Sequence, residues 1–240
     1  MDTKPSGENA PIKIKLPESL WISPFGLLKD LLAFCYQDSS KGFGPHITRY
    51  AYLVAIAKFV QSNSELKNRE FNNVLDVSGS TNLGIITGLK FKKESITSIQ
   101  YPDCAFPNTG LKTNTFDLIL SDQVLEHIDG SPWDVAKETE RLLKPNGYAI
   151  ITTCFMNPYH PFPGDYLRFT SEGLRSIFKS NNLEIVNLGE WGNRFVWIIC
   201  ELGFRYTPVP HNLSNPVNKV ARLNEKGVAI VTWIIVKKLK

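Results

Sequence analysis

Ser121, Asp122 and Gln123 close an apolar run at residues 116–120, and Glu126 and His127 follow within one helical turn. A polar triplet breaking off a run of the kind buried on both faces of a parallel sheet lines a crevice where a ligand can sit. The same three residues can instead cap the short helix that follows, and the two uses can coexist. Carboxylate beside imidazole also raises metal coordination. Asp122 and Glu126, four apart, can share a helical face, but His127 points about 100° away and no second ligand motif is present, so no metal is expected. Upstream, an apolar run at residues 74–77 ends in Ser78-Gly79-Ser80-Thr81-Asn82-Leu83-Gly84, small residues that let a ligand approach backbone.

The elements that must hold these groups are legible around them. Ser131, Pro132 and Asp134 supply an N-cap, a first-turn proline and a capping-box acid. Val135, Ala136, Thr139, Leu142 and Leu143 then fall on one helical face. Lys144-Pro145-Asn146-Gly147 stops that helix, and residues 148–153 resume as a strand, which completes a βαβ unit. Further strands are expected at 74–77, 96–100, 183–186 and 227–236, and a helix at 171–179 with Leu174, Ile177 and Phe178 inward. Alternating strands and helices imply an α/β fold with a parallel sheet. Residues 1–18 read as a flexible arm and 19–66 as a helical cover, with one helix opened by Ser23-Pro24 and another after Gly44-Pro45. The polar linker at 37–45 fits either a lid or an exposed loop. Residues 67–240 form the main domain, with an irregular insertion at about 197–226 carrying Pro208, Pro210 and Pro216.

The composition narrows the function classes. With 240 residues, 42% hydrophobic and 21% charged, the chain can bury a large core. A net charge of +4 without a long Lys/Arg block argues against a nucleic-acid grip. Cys35, Cys104, Cys154 and Cys200 are scattered, without a C-x-x-C pair, so neither a structural zinc site nor a disulfide framework is expected. No secretory signal or membrane span is read, which makes the cytoplasm the expected location. The oligomeric state is not legible.

Three elements in order resemble the class I S-adenosylmethionine-dependent methyltransferases: VLDVSGSTNLG at 74–84, FDLILSDQVLEHI at 116–128 and RLLKPNGYAIITT at 141–153. The second and third resemble in particular the small-molecule methyltransferases called type 11, and the resemblance covers roughly residues 70–190. It implies a Rossmann-like, doubly wound, mostly parallel sheet of the seven-stranded type with helices on both faces. It also implies S-adenosylmethionine as cofactor. The segment at 157–170, NPYHPFPGDYLRFT, is similar to a variant in members associated with surface-glycan synthesis. The family's glycine loop is altered, because Ser78, Ser80 and Asn82 occupy its glycine places. The usual ribose-binding carboxylate is replaced by Gln100, with Asp103 three residues on.

By this resemblance the cofactor would meet Asp76, Ser78, Gly79, Ser80, Gln100, Asp103, Ser121, Asp122 and Gln123. If the acceptor is a hydroxyl, a base must take its proton, and His160 or Asp165 could do so. Tyr159, Tyr166 and Arg168 would shape the acceptor site. The plainer alternative is an Asp165–Arg168 pair on a stiff loop, with His160 a turn residue. His46, Arg49 and Tyr50 could reach the cofactor, although core suits Tyr50 better and surface Arg49. The expected activity is methyl transfer to a small-molecule or saccharide acceptor, with oxygen favoured. A non-catalytic binding module that keeps the fold is the alternative, and a nicotinamide-dependent dehydrogenase lacks its G-x-G-x-x-G loop.

Overall fold

The structure, a computed structural model, describes residues 42–103 and 105–239. The expected arm, the helix at Ser23-Pro24, the first part of the 37–45 linker, Cys35 and Cys104 lie outside the described residues. Strand β1 (Phe43–His46) leads into α1 (Ile47–Ser62), the helix anticipated after Gly44-Pro45. A short α2 (Ser64–Asn68) follows, N-capped by the Asn63 side chain, and β2 (Glu70–Phe71) precedes β3 (Val74–Val77). Then come α3 (Thr81–Thr87), β4 (Lys90–Phe91), β5 (Ile96–Ile99) and β6 (Phe116–Asp122). After β6 the chain runs through α4 (Pro132–Leu142), β7 (Leu143–Cys154), α5 (Ser171–Ile177) and β8 (Leu183–Trp191). It closes with α6 (Arg194–Ile199), β9 (Pro208–Pro210), α7 (Pro216–Arg222) and β10 (Val231–Lys238).

Six strands make the main sheet in the order β5-β3-β6-β7-β10-β8. The pairings β5–β3, β3–β6 and β6–β7 are parallel, and β10 runs antiparallel between β7 and β8. The doubly wound α/β expectation is met. Among the described residues this sheet has six strands where the resemblance implied the seven-stranded type, because 100–103 and 105–115 add no strand between β5 and β6. Strand order reverses between β3 and β6, and the crevice beyond their carboxyl ends is the place where such sheets bind ligands.

Alternation along the strands sorts the two faces. Leu75, Val77, Ile119, Ala149, Ile151, Ile234 and Val236 share a core with Val135 and Ala136 of α4 and Leu174 and Ile177 of α5. The intervening residues, Asp76, Asp122 and Thr152 among them, turn to the face covered by α1, whose Tyr52, Leu53 and Ile56 are buried. Both faces are therefore covered, as residues buried along all of β3 and the first six positions of β6 require. Two caps differ from the sequence reading: Ser131 makes no side-chain cap bond, and Asp134 pairs with Lys137 instead. Between β8 and β10, β9 pairs with β1, and Asn218 of α7 bonds Tyr50 of α1 at 3.0 Å. No helix among the described residues is long and apolar enough to cross a membrane.

Candidate functional site

The carboxyl end of β6 is built around Asp122. Its Oδ1 accepts the hydroxyls of Tyr52 at 2.7 Å and Thr152 at 2.6 Å, and its Oδ2 accepts Arg49 Nη1. Tyr52 and Thr152 are fully buried. Burial and then the adjacent carboxylate push the Tyr52 phenol well above its ordinary range, so it remains a donor. This network ties α1 to the ends of β6 and β7. Arg49, expected at the surface, is instead one of its members.

Ser78 and Gly79, just past β3, both take left-handed backbone, at φ 55° and 79°. Serine thus adopts the conformation for which the glycine loop exists, at some cost in strain. Ser80 turns inward. Its hydroxyl bonds the Val77 carbonyl and accepts the Asp122 amide at 2.7 Å, which locks the ends of β3 and β6 together. The crevice beyond them stays open as a cavity of about 360 Å³ lined by Val77, Ser78, Tyr101, Phe106, Asp122 and Gln123, together with His127, Asp129 and Tyr166. Two buried polar atoms next in the chain to wall residues have no partner among the described residues: Asp76 Oδ1 and Ser121 Oγ.

A second cavity of about 170 Å³ adjoins the first, and the two share Arg49, Gln123 and His127. It is lined further by His46, Glu126, Cys154, His160, Arg205 and Tyr206. His127 donates Nδ1–H to the Gly164 carbonyl, which leaves Nε2 as the acceptor, and its ring meets that of His160 edge-on at 4.9 Å. The Arg205 Nε is buried without a partner among the described residues. Burial and the neighbouring Cys154 thiol and Glu126 carboxylate act together: burial first, then the charge of Glu126, raise the thiol well above its ordinary range.

His46 is held neutral. Burial, then Arg49 and Arg205, lower its pKa to about 4. The unfolded chain therefore binds a proton at His46 between about pH 6.5 and 4 that the folded chain refuses, and stability rises with pH across that window. The expected contribution is on the order of 3 kcal/mol above pH 6.5, lost progressively towards pH 4. Urea unfolding of the wild type and His46→Gln over this range checks it: the difference between their stabilities should grow with pH and then level off. Parallel curves would refute it.

The sequence-predicted residues divide cleanly. Ser78, Asp122 and Gln123 line the first cavity, together with Tyr166. Asp76 and Ser121 are buried, and Gly79 lies at the elbow. Gln100 and Asp103 are exposed and line neither cavity; the chain offers Tyr101 and Asp129 there instead. Ser80 holds the elbow rather than facing the space. His160 lines the second cavity, whereas Asp165 is clamped by Arg168, accepts the His160 amide at 3.0 Å and leaves no oxygen free. The Arg168 hydrogen bonds outweigh desolvation and hold its carboxyl down to about 2, which makes it a poor base. Arg168 and Tyr159 line neither cavity, and Tyr159 is exposed. His127 is the group that sequence reasoning passed over. Residues Leu125–His127 form a single 3₁₀ turn, so the α-helical angle used to discount it does not apply.

Residues 61–151 match the family model of the methyltransferase domain. No curated protein matches the chain. Among solved structures, the [4+2]-cyclase SpnF is 13% identical, with a TM-score of 0.49 over 90% of this chain and 95% of that one. A geranyl diphosphate methyltransferase in complex with SAM is 15% identical, with a TM-score of 0.46 over 77% of this chain and 85% of that one. A Haemonchus contortus phosphoethanolamine N-methyltransferase 2, in complex with phosphomonomethylethanolamine and S-adenosylhomocysteine, is 15% identical, with a TM-score of 0.47 over 88% of this chain and 57% of that one. Likeness at this level says nothing of substrate.

Proposed function

We propose that this methyltransferase-domain protein transfers the methyl group of S-adenosylmethionine to a hydroxyl of a small polar acceptor of saccharide type. One observation carries the reading: the two cavities meet at Arg49, Gln123 and His127, so a donor in the first and an acceptor in the second would touch the same imidazole. The first cavity suits the donor. Its volume of about 360 Å³ lies in the range of small-molecule sites, and it sits at the switch point of the sheet. Tyr101, Phe106 and Tyr166 offer apolar surface for a base, while Ser78, Asp122, Gln123 and Asp129 offer polar contacts. The unpartnered Asp76 Oδ1 and Ser121 Oγ leave hydrogen-bonding capacity at the same strand ends.

Bound there, S-adenosylmethionine supplies an electrophilic methyl carbon. The residues of the chain do the rest. Holding two reactants in line removes roughly 7–11 kcal/mol of barrier, and here the walls shared by the two cavities provide the alignment. His127 Nε2 takes the acceptor's proton, because Nδ1–H is committed to Gly164. Arg205 Nε–H, buried and without a partner among the described residues, addresses a second acceptor oxygen.

Calorimetric titration of the full chain with S-adenosylmethionine and S-adenosylhomocysteine tests the proposal. Saturable binding is expected, and ligand at 100 times Kd should stabilise the fold by about 2.7 kcal/mol. Failure of both to bind at millimolar concentration would overturn the reading.

A further inference from the structure

Glu126, Cys154 and His160 line the second cavity and not the first. They come from three separate segments: the 3₁₀ turn after β6, the last residue of β7, and the loop beyond it. One ligand atom of each lies within 4.8 Å of the others, and all three line the cavity. Glu126 is fully buried. Its Oε2 accepts the Thr153 hydroxyl at 2.8 Å, while Oε1 has no hydrogen-bond partner among the described residues. A buried carboxylate oxygen left unpaired carries a heavy desolvation cost unless something positive meets it.

We infer that Glu126, Cys154 and His160 bind a divalent transition metal, zinc by donor type, with an open coordination position facing the acceptor cavity. Thiolate and imidazole exclude magnesium and calcium, which take oxygen ligands. One carboxylate and one thiolate neutralise the two charges of the ion, and Cys154 releases its proton to solvent as it binds. Three protein ligands with a fourth place open is the arrangement of reactive zinc sites. Tetrahedral zinc holds its ligand atoms about 3–4 Å apart, so binding draws these groups together by about 1 Å.

The surroundings of His160 support the assignment independently. Its Nδ1 lies 3.0 Å from the Pro158 carbonyl and 3.2 Å from Asp165 Oδ2, and Asp165 is itself clamped by Arg168. A carbonyl and a carboxylate behind a histidine fix its tautomer and orientation, as they do behind metal-bound histidines. Asp165 is thus a positioning residue for a ligand. In the methyl-transfer reading, on which this last step alone rests, the ion would hold the acceptor's oxygen beside His127. Metal binding itself does not depend on that reading.

The test titrates the chelator-treated full chain with Co²⁺ and follows the near-ultraviolet thiolate-to-cobalt charge-transfer band, with no cofactor or acceptor present. One equivalent should produce the band and Zn²⁺ should displace it. Cys154→Ala should abolish it, Cys200→Ser should keep it, and Asp165→Asn should weaken affinity roughly 10- to 100-fold. Glu126→Gln, nearly isosteric, guards against a folding defect in the cysteine variant and should lower affinity as well. Cobalt that binds without the band, a band that survives Cys154→Ala, or no binding at all overturns the site. None of these outcomes bears on S-adenosylmethionine binding, so the two proposals fail separately.

Discussion

Asp122→Ala is expected to cost about 3 kcal/mol of stability, the low end for breaking a buried ion pair, because Arg49 is partly exposed. Two buried hydroxyls, Tyr52 and Thr152, lose their shared acceptor in the same step, and Arg49 loses its counter-charge. At roughly 2–4 °C per kcal/mol for a domain of this size, the melting temperature should fall by about 6–12 °C. Asp122→Asn keeps an acceptor oxygen and should lose less. Denaturant unfolding of both variants, read beside calorimetry, decides the matter. A loss below about 1 kcal/mol in Asp122→Ala would show that the network contributes little beyond an exposed ion pair. The consequence reaches function, since the same carboxylate anchors the helix that supplies Arg49 to both cavities.

His127→Gln should leave the fold and the affinity for S-adenosylhomocysteine within a few fold while lowering kcat roughly 10²- to 10⁴-fold, the usual worth of a positioned proton acceptor. Glutamine can still donate to the Gly164 carbonyl but has no basic nitrogen to offer the cavity. The separation of kcat from binding is the informative quantity. A variant with near-normal kcat, assayed by transfer of labelled methyl to any accepted hydroxyl compound, would remove His127 from the chemistry. Equal losses in ligand affinity and kcat would reduce it to a wall of the site.

Local pattern carried much of the architecture. The strands at 74–77 and 96–99, the helix opened by Pro132 and the inward set Leu174, Ile177 and Phe178 were all readable, because each is fixed by an apolar run or a 3.6-residue period. The polar triplet at 121–123 marked the crevice for the same reason, since a buried strand that turns abruptly polar has reached its end. The resemblance to methyltransferases was legible too, in three short elements that fall almost wholly within residues 61–151, the stretch that matches the family model of the methyltransferase domain.

What the pattern missed lies between segments far apart in the chain. Arg49 meets Asp122 across 73 positions, and this contact turns a nominal surface arginine into a structural one. The Asp165–Arg168 pair, by contrast, is local, three residues apart, and was legible as the plainer alternative to a catalytic Asp165. Glu126, Cys154 and His160 have no motif spacing because three separate segments deliver them. Sequence by itself determined which stretches become strands and helices, the βαβ unit and the location of the crevice, because those follow from periodicity and turn chemistry within about a dozen residues. Only the tertiary structure decided which acid is spent on an ion pair, which imidazole faces both cavities and which buried oxygen is left unpaired, because charge and hydrogen bonding act through space between groups whose separation along the chain carries no signal.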